Sequence, residues 1–306
     1  MERLKSLFRC LLLLLAAAGL LCFPAECSQA ARDALALCLQ TVLPSLFPFF
    51  VLSSLVVSSE AAEALSRLLS GAMGPLFGVS GNGACALTLG LLGGYPVGAR
   101  TAAELYRGGA VSRDEAERLL GFCNNSGPGF FLGICGGAVF HSARTGVYLY
   151  LIHTVSAVLT GILLRRRGPI PRDGRAEHAV QGMTSFPDAV RDSFLSVWSV
   201  CGFVVLFAVL LRLVTLLLPT GAADATWYPA LLGFTELTNG VLALKPTRDG
   251  FVLCAVITSF GSLSVHAQTR SVTEEAGLSL RWHRRGKLLQ SFLAGILALL
   301  LSPSLF

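Results

Sequence analysis

Charge is what this chain has least of. Only 14% of its 306 residues are Asp, Glu, Lys or Arg, against about 25% in soluble domains, and 53% are hydrophobic. That excludes a soluble globular domain. Metal-ligating patterns are missing as well. The nine cysteines include no Cys-x-x-Cys pair. Most of them, such as Cys85, Cys201 and Cys254, lie in apolar runs, where a thiol is a small buried hydrophobe. No metal and no organic cofactor is expected. Catalytic signatures are absent too: no His-Glu-x-x-His, no Gly-x-Ser-x-Gly, no carboxylate pair arranged for a membrane protease. An enzyme is not expected.

What is present is a succession of apolar runs: Cys10–Phe23, Ala34–Val57, Gly83–Leu92, Phe130–Phe140, Val147–Leu164, Phe194–Leu218, Trp227–Leu244, Phe251–Phe260 and Leu288–Leu301. They make an all-α, polytopic membrane protein whose main partner is the lipid bilayer. The net charge of +6 sits in short loops between the runs, where it reports orientation and not nucleic-acid binding. Residues 1–30 read as a signal-anchor helix or, with "PAECS" as a cleavage site, a signal peptide. Either reading leaves residue 30 outside.

The chain also resembles itself. Segments starting at Ala31 and Val190 both open on Arg-Asp (Arg32-Asp33, Arg191-Asp192) and run into a long apolar helix. "GGYPVGART" (Gly93–Thr101) aligns with "GSLSVHAQT" (Gly261–Thr269), and each is followed by a capping-box pattern, Ser112-x-x-Glu115 and Ser271-x-x-Glu274. Two repeats result, 31–140 and 190–306, joined by a connecting helix and basic cytoplasmic loop over 141–189. Transporters are often built from two such repeats, with broken helices meeting near the midplane. Charge points to inversion. The N-terminus, Arg165–His178 and Arg270–Lys287 carry basic excess and belong in the cytoplasm, whereas Arg100–Arg118 is balanced and is expected outside. Counting crossings then asks Gly121–Phe140 to be re-entrant.

Four stretches break the membrane pattern. In hydrocarbon, non-helical backbone survives only where it lines protein or an aqueous cavity. Gly93-Gly94 lets the chain leave its helix, and Pro96 removes a donor. A second half-helix then begins near Val97, with its positive dipole end at the break and Arg100 one turn in, placed to meet an anion. "FCNNSGPGFF" offers Asn124, Asn125 and Ser126 before Gly127-Pro128-Gly129. "GFTELTNG" places Glu236 among Thr235, Thr238 and Asn239. An intramembrane carboxylate is by default a functional site, here for a coupling ion, H+ or Na+. "FGSLSVHAQT" supplies Ser262, Ser264, His266 and Gln268 after Gly261.

In this order, "LLGGYPVGAR", "FCNNSGPGF", "ELTNG" and "FGSLSVHAQ" resemble the YlbJ (SpoVV) family of sporulation integral membrane proteins. Its Gate, or "nucleoside recognition", repeat is also similar to parts of concentrative nucleoside transporters and of the ferrous-iron transporter FeoB. The resemblance covers residues 31–306 and makes both repeats Gate-type. It implies a multi-pass protein of the outer forespore membrane that moves dipicolinate, a flat dianion. Arg100, Asn124, Asn125 and His266 then form a cradle for carboxylates, with Tyr95 against the ring. Two other readings stand beside it: a non-transporting scaffold or assembly factor of the spore envelope, and a transporter of nucleoside-like solutes.

Overall fold

The computed structural model describes residues 2–57, 60–165, 185–219, 225 and 227–304. Most of the basic stretch Arg165–His178 lies outside them. Among the described residues all regular structure is helical. The helices are α1 (Glu2–Cys22), α2 (Pro24–Leu37), α3 (Leu43–Val57), α4 (Glu60–Ala72), α5 (Gly83–Gly93), α6 (Val97–Arg107) and α7 (Arg113–Leu119). A π-wound segment, Phe130–Val139, precedes α8 (Ala143–Leu163) and α9 (Phe186–Leu216). The chain ends with α10 (Tyr228–Thr235), α11 (Leu237–Leu242), α12 (Arg248–Phe260), α13 (Ser262–Glu274) and α14 (Arg281–Leu301).

Among the described residues, three helical runs are long and apolar enough to cross a bilayer: α8, α9 and the run Arg248–Glu274 formed by α12 and α13. The pair Leu13–Cys22 and Pro24–Val42 is bent by 98°. The "PAECS" stretch opens α2, and Glu26 within it pairs with Arg212 of α9. Helix α14 is more polar, but its 21 residues reach about 30 Å at 1.5 Å per residue.

Two pairs of short helices fold back on themselves. Helices α5 and α6 pack as a hairpin around Gly94–Pro96, with Gly90 facing Gly98 across it. Helices α10 and α11 do the same around Glu236, with Gly233 against Gly240. Neither reaches across a bilayer, so each enters from one side and stops at mid-depth. They enter from opposite ends. The α5–α6 hairpin is rooted where the Ser80 amide donates to Glu115 (2.8 Å) and Asn82 Nδ2 to the Ala110 carbonyl (3.0 Å). The α10–α11 hairpin leads through Lys245–Thr247 into the start of α12, where Arg248 Nε donates to Ser302 Oγ at the far end of α14 (3.0 Å).

The two stretches that align in sequence therefore fold differently. At Gly93–Thr101 the chain reverses: Gly94 adopts φ 78°, Tyr95–Pro96 is cis, and Pro96 has no amide to continue a helix. At Gly261–Thr269 there is no proline. Gly261, at φ 84°, closes α12 by donating to the Ile257 carbonyl (2.9 Å), and α13 carries straight on. The Ser112–Glu115 capping box forms at the start of α7. Its counterpart does not: Ser271 lies inside α13 and donates to the Gln268 carbonyl (2.8 Å).

The placement of charge also differs from expectation. Arg107 pairs with Glu275 (3.6 Å), Arg113 donates to the Gly277 carbonyl (2.6 Å), and the Ser279 amide donates to Glu117 (3.0 Å). The Arg107–Arg118 segment thus shares one end of the molecule with the Arg270–Lys287 segment. The C-terminus of α8 is there too, since Gly121 packs between Leu164 and the Trp282 carbonyl. The reason is that Gly121–Phe140 crosses after all. It leaves α7 through a turn, runs irregular over Asn124–Gly127 to mid-depth, then continues as the π-wound Phe130–Val139, whose first turn meets the middle of α8 through the Phe131 and His153 rings (5.0 Å). No re-entrant count is needed there. One end gathers the basic excess, which places it in the cytoplasm.

Lipid tails are as apolar as leucine, so close approach and interhelical hydrogen bonds hold such helices together, not burial from water. Glycines make the approach possible: Gly136 meets Gly146, Gly286 meets Gly121, and the Cys123 carbonyl sits against both Gly90 and Gly98. A side chain at these positions has to displace backbone. Gly240→Ala is therefore expected to cost about 1–3 kcal/mol in thermal unfolding in detergent. Gly202→Ala, with nothing within 4 Å, should be near neutral. Cysteines replacing Gly108 and Glu275 in a cysteine-free background should react with an impermeant maleimide from the same side. Labelling from opposite sides would show that the shared end is wrong.

Candidate functional site

Four breaks meet at mid-depth. They are the Gly93–Pro96 tip, the irregular Asn124–Gly127, the Glu236 tip, and the Gly261–Ser262 joint. Between them lies a partly open cleft with about 560 Å³ of empty space. Its polar groups come from Ser126, Glu236, Thr238 and Gln268, and its aromatic walls from Tyr95, Phe49, Phe50 and Phe130. Gly93, Gly94 and Gly127 leave room along one side.

Each opened backbone is satisfied by a particular side chain. Glu236, 2% exposed, caps α11: its carboxylate accepts from the Asn239 amide (2.7 Å) and from Ser264 Oγ (3.5 Å). Ser264 in turn shares a hydrogen bond with Ser262 (3.0 Å), which stands at φ 54°. The second hairpin tip is thereby joined to the break in the α12–α13 span. On the other side, Asn124 accepts from the Ala99 amide at the start of α6 (3.3 Å) and donates to Thr269 Oγ1 in α13 (2.8 Å). His153, halfway along α8, accepts from the Ser126 amide through Nε2 (3.2 Å). That assigns the proton to Nδ1, which faces Ser259 Oγ (3.0 Å).

The sequence-derived set is thus divided. Tyr95, Ser126, Glu236, Thr238 and Gln268 line the cleft. Ser262 and Ser264 buttress Glu236, and Asn239 supplies its amide while its buried Nδ2 finds no partner among the described residues. Asn124 and Asn125 are fully buried behind the cleft and tie helices together. His266 points elsewhere, its ring against Phe260 (5.0 Å) and His283 (4.8 Å), with neither ring nitrogen hydrogen-bonded among the described residues.

Arg100 is the clearest correction. It is exposed and pairs with Glu104 (3.0 Å). It does share a helix face with Pro96, four residues earlier, but that face looks outward. The inward face of α6 is Gly98, Ala99, Thr101, Ala102 and Leu105. Among the described residues no arginine lines the cleft.

One cation near the cleft escaped sequence reasoning. Lys287 is fully buried two turns into α14 and donates to Asn125 Oδ1 (3.2 Å) and Gln290 Oε1 (2.8 Å). Its Nζ lies 5.2 Å from the centroid of the Tyr95 ring. Gln290 also donates to Asn125 Oδ1 (3.1 Å) and to the His153 carbonyl (3.3 Å). The available signal was the Lys287–Gln290 pair at helical i, i+3 spacing inside "KLLQSFLAGILALL". It was masked because Lys287 also ends a basic stretch and reads as loop.

Comparison with known proteins adds family to geometry. Residues 39–164 match the Gate family, described as nucleoside recognition. That region holds the first hairpin, the Asn124–Gly129 break and α8. The chain is 28% identical, over 346 aligned residues, to the sporulation integral membrane protein YlbJ of Bacillus subtilis. The alignment takes in 100% of this chain and 85% of the relative. No solved structure matches. With its membrane-length helices, the chain is a multi-pass integral membrane protein, similar to the Gate family over residues 39–164 and to YlbJ over its whole length.

Proposed function

We propose that this protein is a transporter of a small polar solute, which it binds in the mid-depth cleft. The observation that carries the reading is the convergence of two opposed hairpin tips and two broken spans on one cleft with a buried carboxylate. Alternating access needs such a site, reachable from either side when one tip moves. Glu236 caps α11, but a neutral acceptor could do the same, and an ionisable group in hydrocarbon is costly, so the carboxyl group is more than a scaffold requires.

The cleft chemistry favours a flat solute with hydrogen-bonding edges. Phe49, Phe50, Tyr95 and Phe130 offer ring faces, and Ser126, Thr238 and Gln268 offer donors and acceptors. Dipicolinate crossing the outer forespore membrane fits this and the sporulation role named for the relative. Its carboxylates would meet Glu236, so a cation, H+ or Na+, must travel with it. A nucleoside also has a flat ring and polar edges, and it is the second reading because the Gate match carries that description.

Purified protein should gain thermal stability with its solute, by about 2.7 kcal/mol at a hundredfold excess over Kd. Dipicolinate, pyridine monocarboxylates and nucleosides are the solutes to compare. Glu236→Gln keeps the cap on Asn239 and removes the charge. It is expected to abolish solute flux in proteoliposomes with near-normal membrane abundance. Arg100→Ala, outward-facing, should leave flux intact and cost under about 0.5 kcal/mol. No stabilisation by any solute, together with no wild-type flux above that of empty liposomes, would return the protein to the scaffold reading, and full flux in Glu236→Gln would show that its charge is not needed.

A further inference from the structure

Lys287 is buried at mid-depth with no carboxylate paired to it among the described residues. Taking a charge out of water costs several kcal/mol unless other groups replace its hydration. The replacement here is Asn125 Oδ1, Gln290 Oε1 and the Tyr95 ring face. Two amide oxygens and an aromatic face are the ligands that would hold a bare monovalent cation. They also come from three separate parts of the fold: the first broken span, α14 and the tip of the first hairpin.

We infer that Lys287 is a built-in cation, its ammonium filling a monovalent-cation position that latches the α5–α6 tip to the core. An ion bound there would have to leave and rebind, whereas a tethered one holds the tip without Na+ or K+. The position is distinct from Glu236, which belongs to the other hairpin and caps α11. The inference therefore stands on its own, whether or not a solute is carried.

The argument makes the removal of the ammonium specific. Lys287→Ala leaves the two amide oxygens and the ring face around a hole. Lys287→Met keeps most of the stem and fills that hole without charge. Thermal unfolding in detergent would be followed for the wild type and both variants in choline, sodium and potassium chloride at equal ionic strength. Lys287→Ala should be less stable than the wild type in choline, and Na+, K+ or methylammonium should restore at least about half of the loss, saturably. Lys287→Met should be destabilised and not restored by any of them. Adding Asn125→Ala to Lys287→Ala should abolish the rescue. A Lys287→Ala protein indifferent to all three cations, or a cation response equal in wild type and variant, would overturn the inference.

A second measurement does not depend on isolating the alanine variant. Cys123 is fully buried behind the first hairpin, its thiol donating to the Gly98 carbonyl (3.4 Å). With the other cysteines replaced, its maleimide reaction reports how often the hairpin opens. Loss of the latch in Lys287→Met should speed that reaction at least about tenfold in membranes. An unchanged rate would show that Lys287 does not hold the tip.

Discussion

The structure depends on one constraint: backbone that leaves the helix at mid-depth has no water to satisfy it. Each break is paired with a side chain that takes up a freed amide. Glu236 accepts from Asn239, Asn124 from Ala99, and His153 from Ser126. Removing any of these acceptors strands a buried donor, at about 1–3 kcal/mol each. The polar residues at the centre are thus required by the openings themselves. The cleft is the space left over once the openings have been satisfied.

Two of the same acceptors tie the parts that would have to move. Asn124 reaches from the first broken span to α6 and also to Thr269 of α13. Glu236 reaches from the second hairpin to Ser264 beyond the Gly261 joint. Each hairpin is thus bonded to a broken span rather than only to its own arm. Glycine contacts set the backbones close enough for these bonds to form, Gly94 beside Gly127 and Gly90 beside Gly98. Packing and polar satisfaction are one arrangement here, since in lipid neither is driven by exclusion of water.

Much of this was legible in the sequence. Gly-Gly-Tyr-Pro, Asn-Asn-Ser-Gly-Pro-Gly, Glu-Leu-Thr-Asn-Gly and Phe-Gly-Ser are all real breaks, because glycine and proline act on the backbone locally. Glu236 stood out because nothing else in its run is charged. What stayed hidden is non-local. Whether a break reverses the chain or merely joints it depends on what packs alongside, so Gly93–Thr101 and Gly261–Thr269 look alike and fold differently. Arg100 follows from the right periodicity applied to the wrong face, which only the partner of α6 decides. The balanced charge of Arg107–Arg118 suggested the outside, but Glu117 and Arg113 are engaged with the Gly277–Ser279 turn. Lys287 was read as loop because a helix start inside a basic stretch carries no cap signal, and α14 indeed has none.

The two hairpins are built to one plan but are not chemically equivalent. The second carries a carboxylate at its tip, and the first rests its tip on an ammonium. The cleft lies between the Glu236 carboxyl group and the Lys287 amine, the latter screened by the Tyr95 ring. In a low-dielectric setting each charge acts over a longer range than it would in water. A displacement of the first tip uncovers Lys287 to whatever occupies the cleft, and a displacement of the second carries Glu236 away from Ser264. On the proposed transport reading both displacements would therefore make the cleft more positive, the first by uncovering an amine and the second by withdrawing a carboxyl group. The two hairpins would reach the same change in field by different chemistry, set by two residues, one on each side of the cleft.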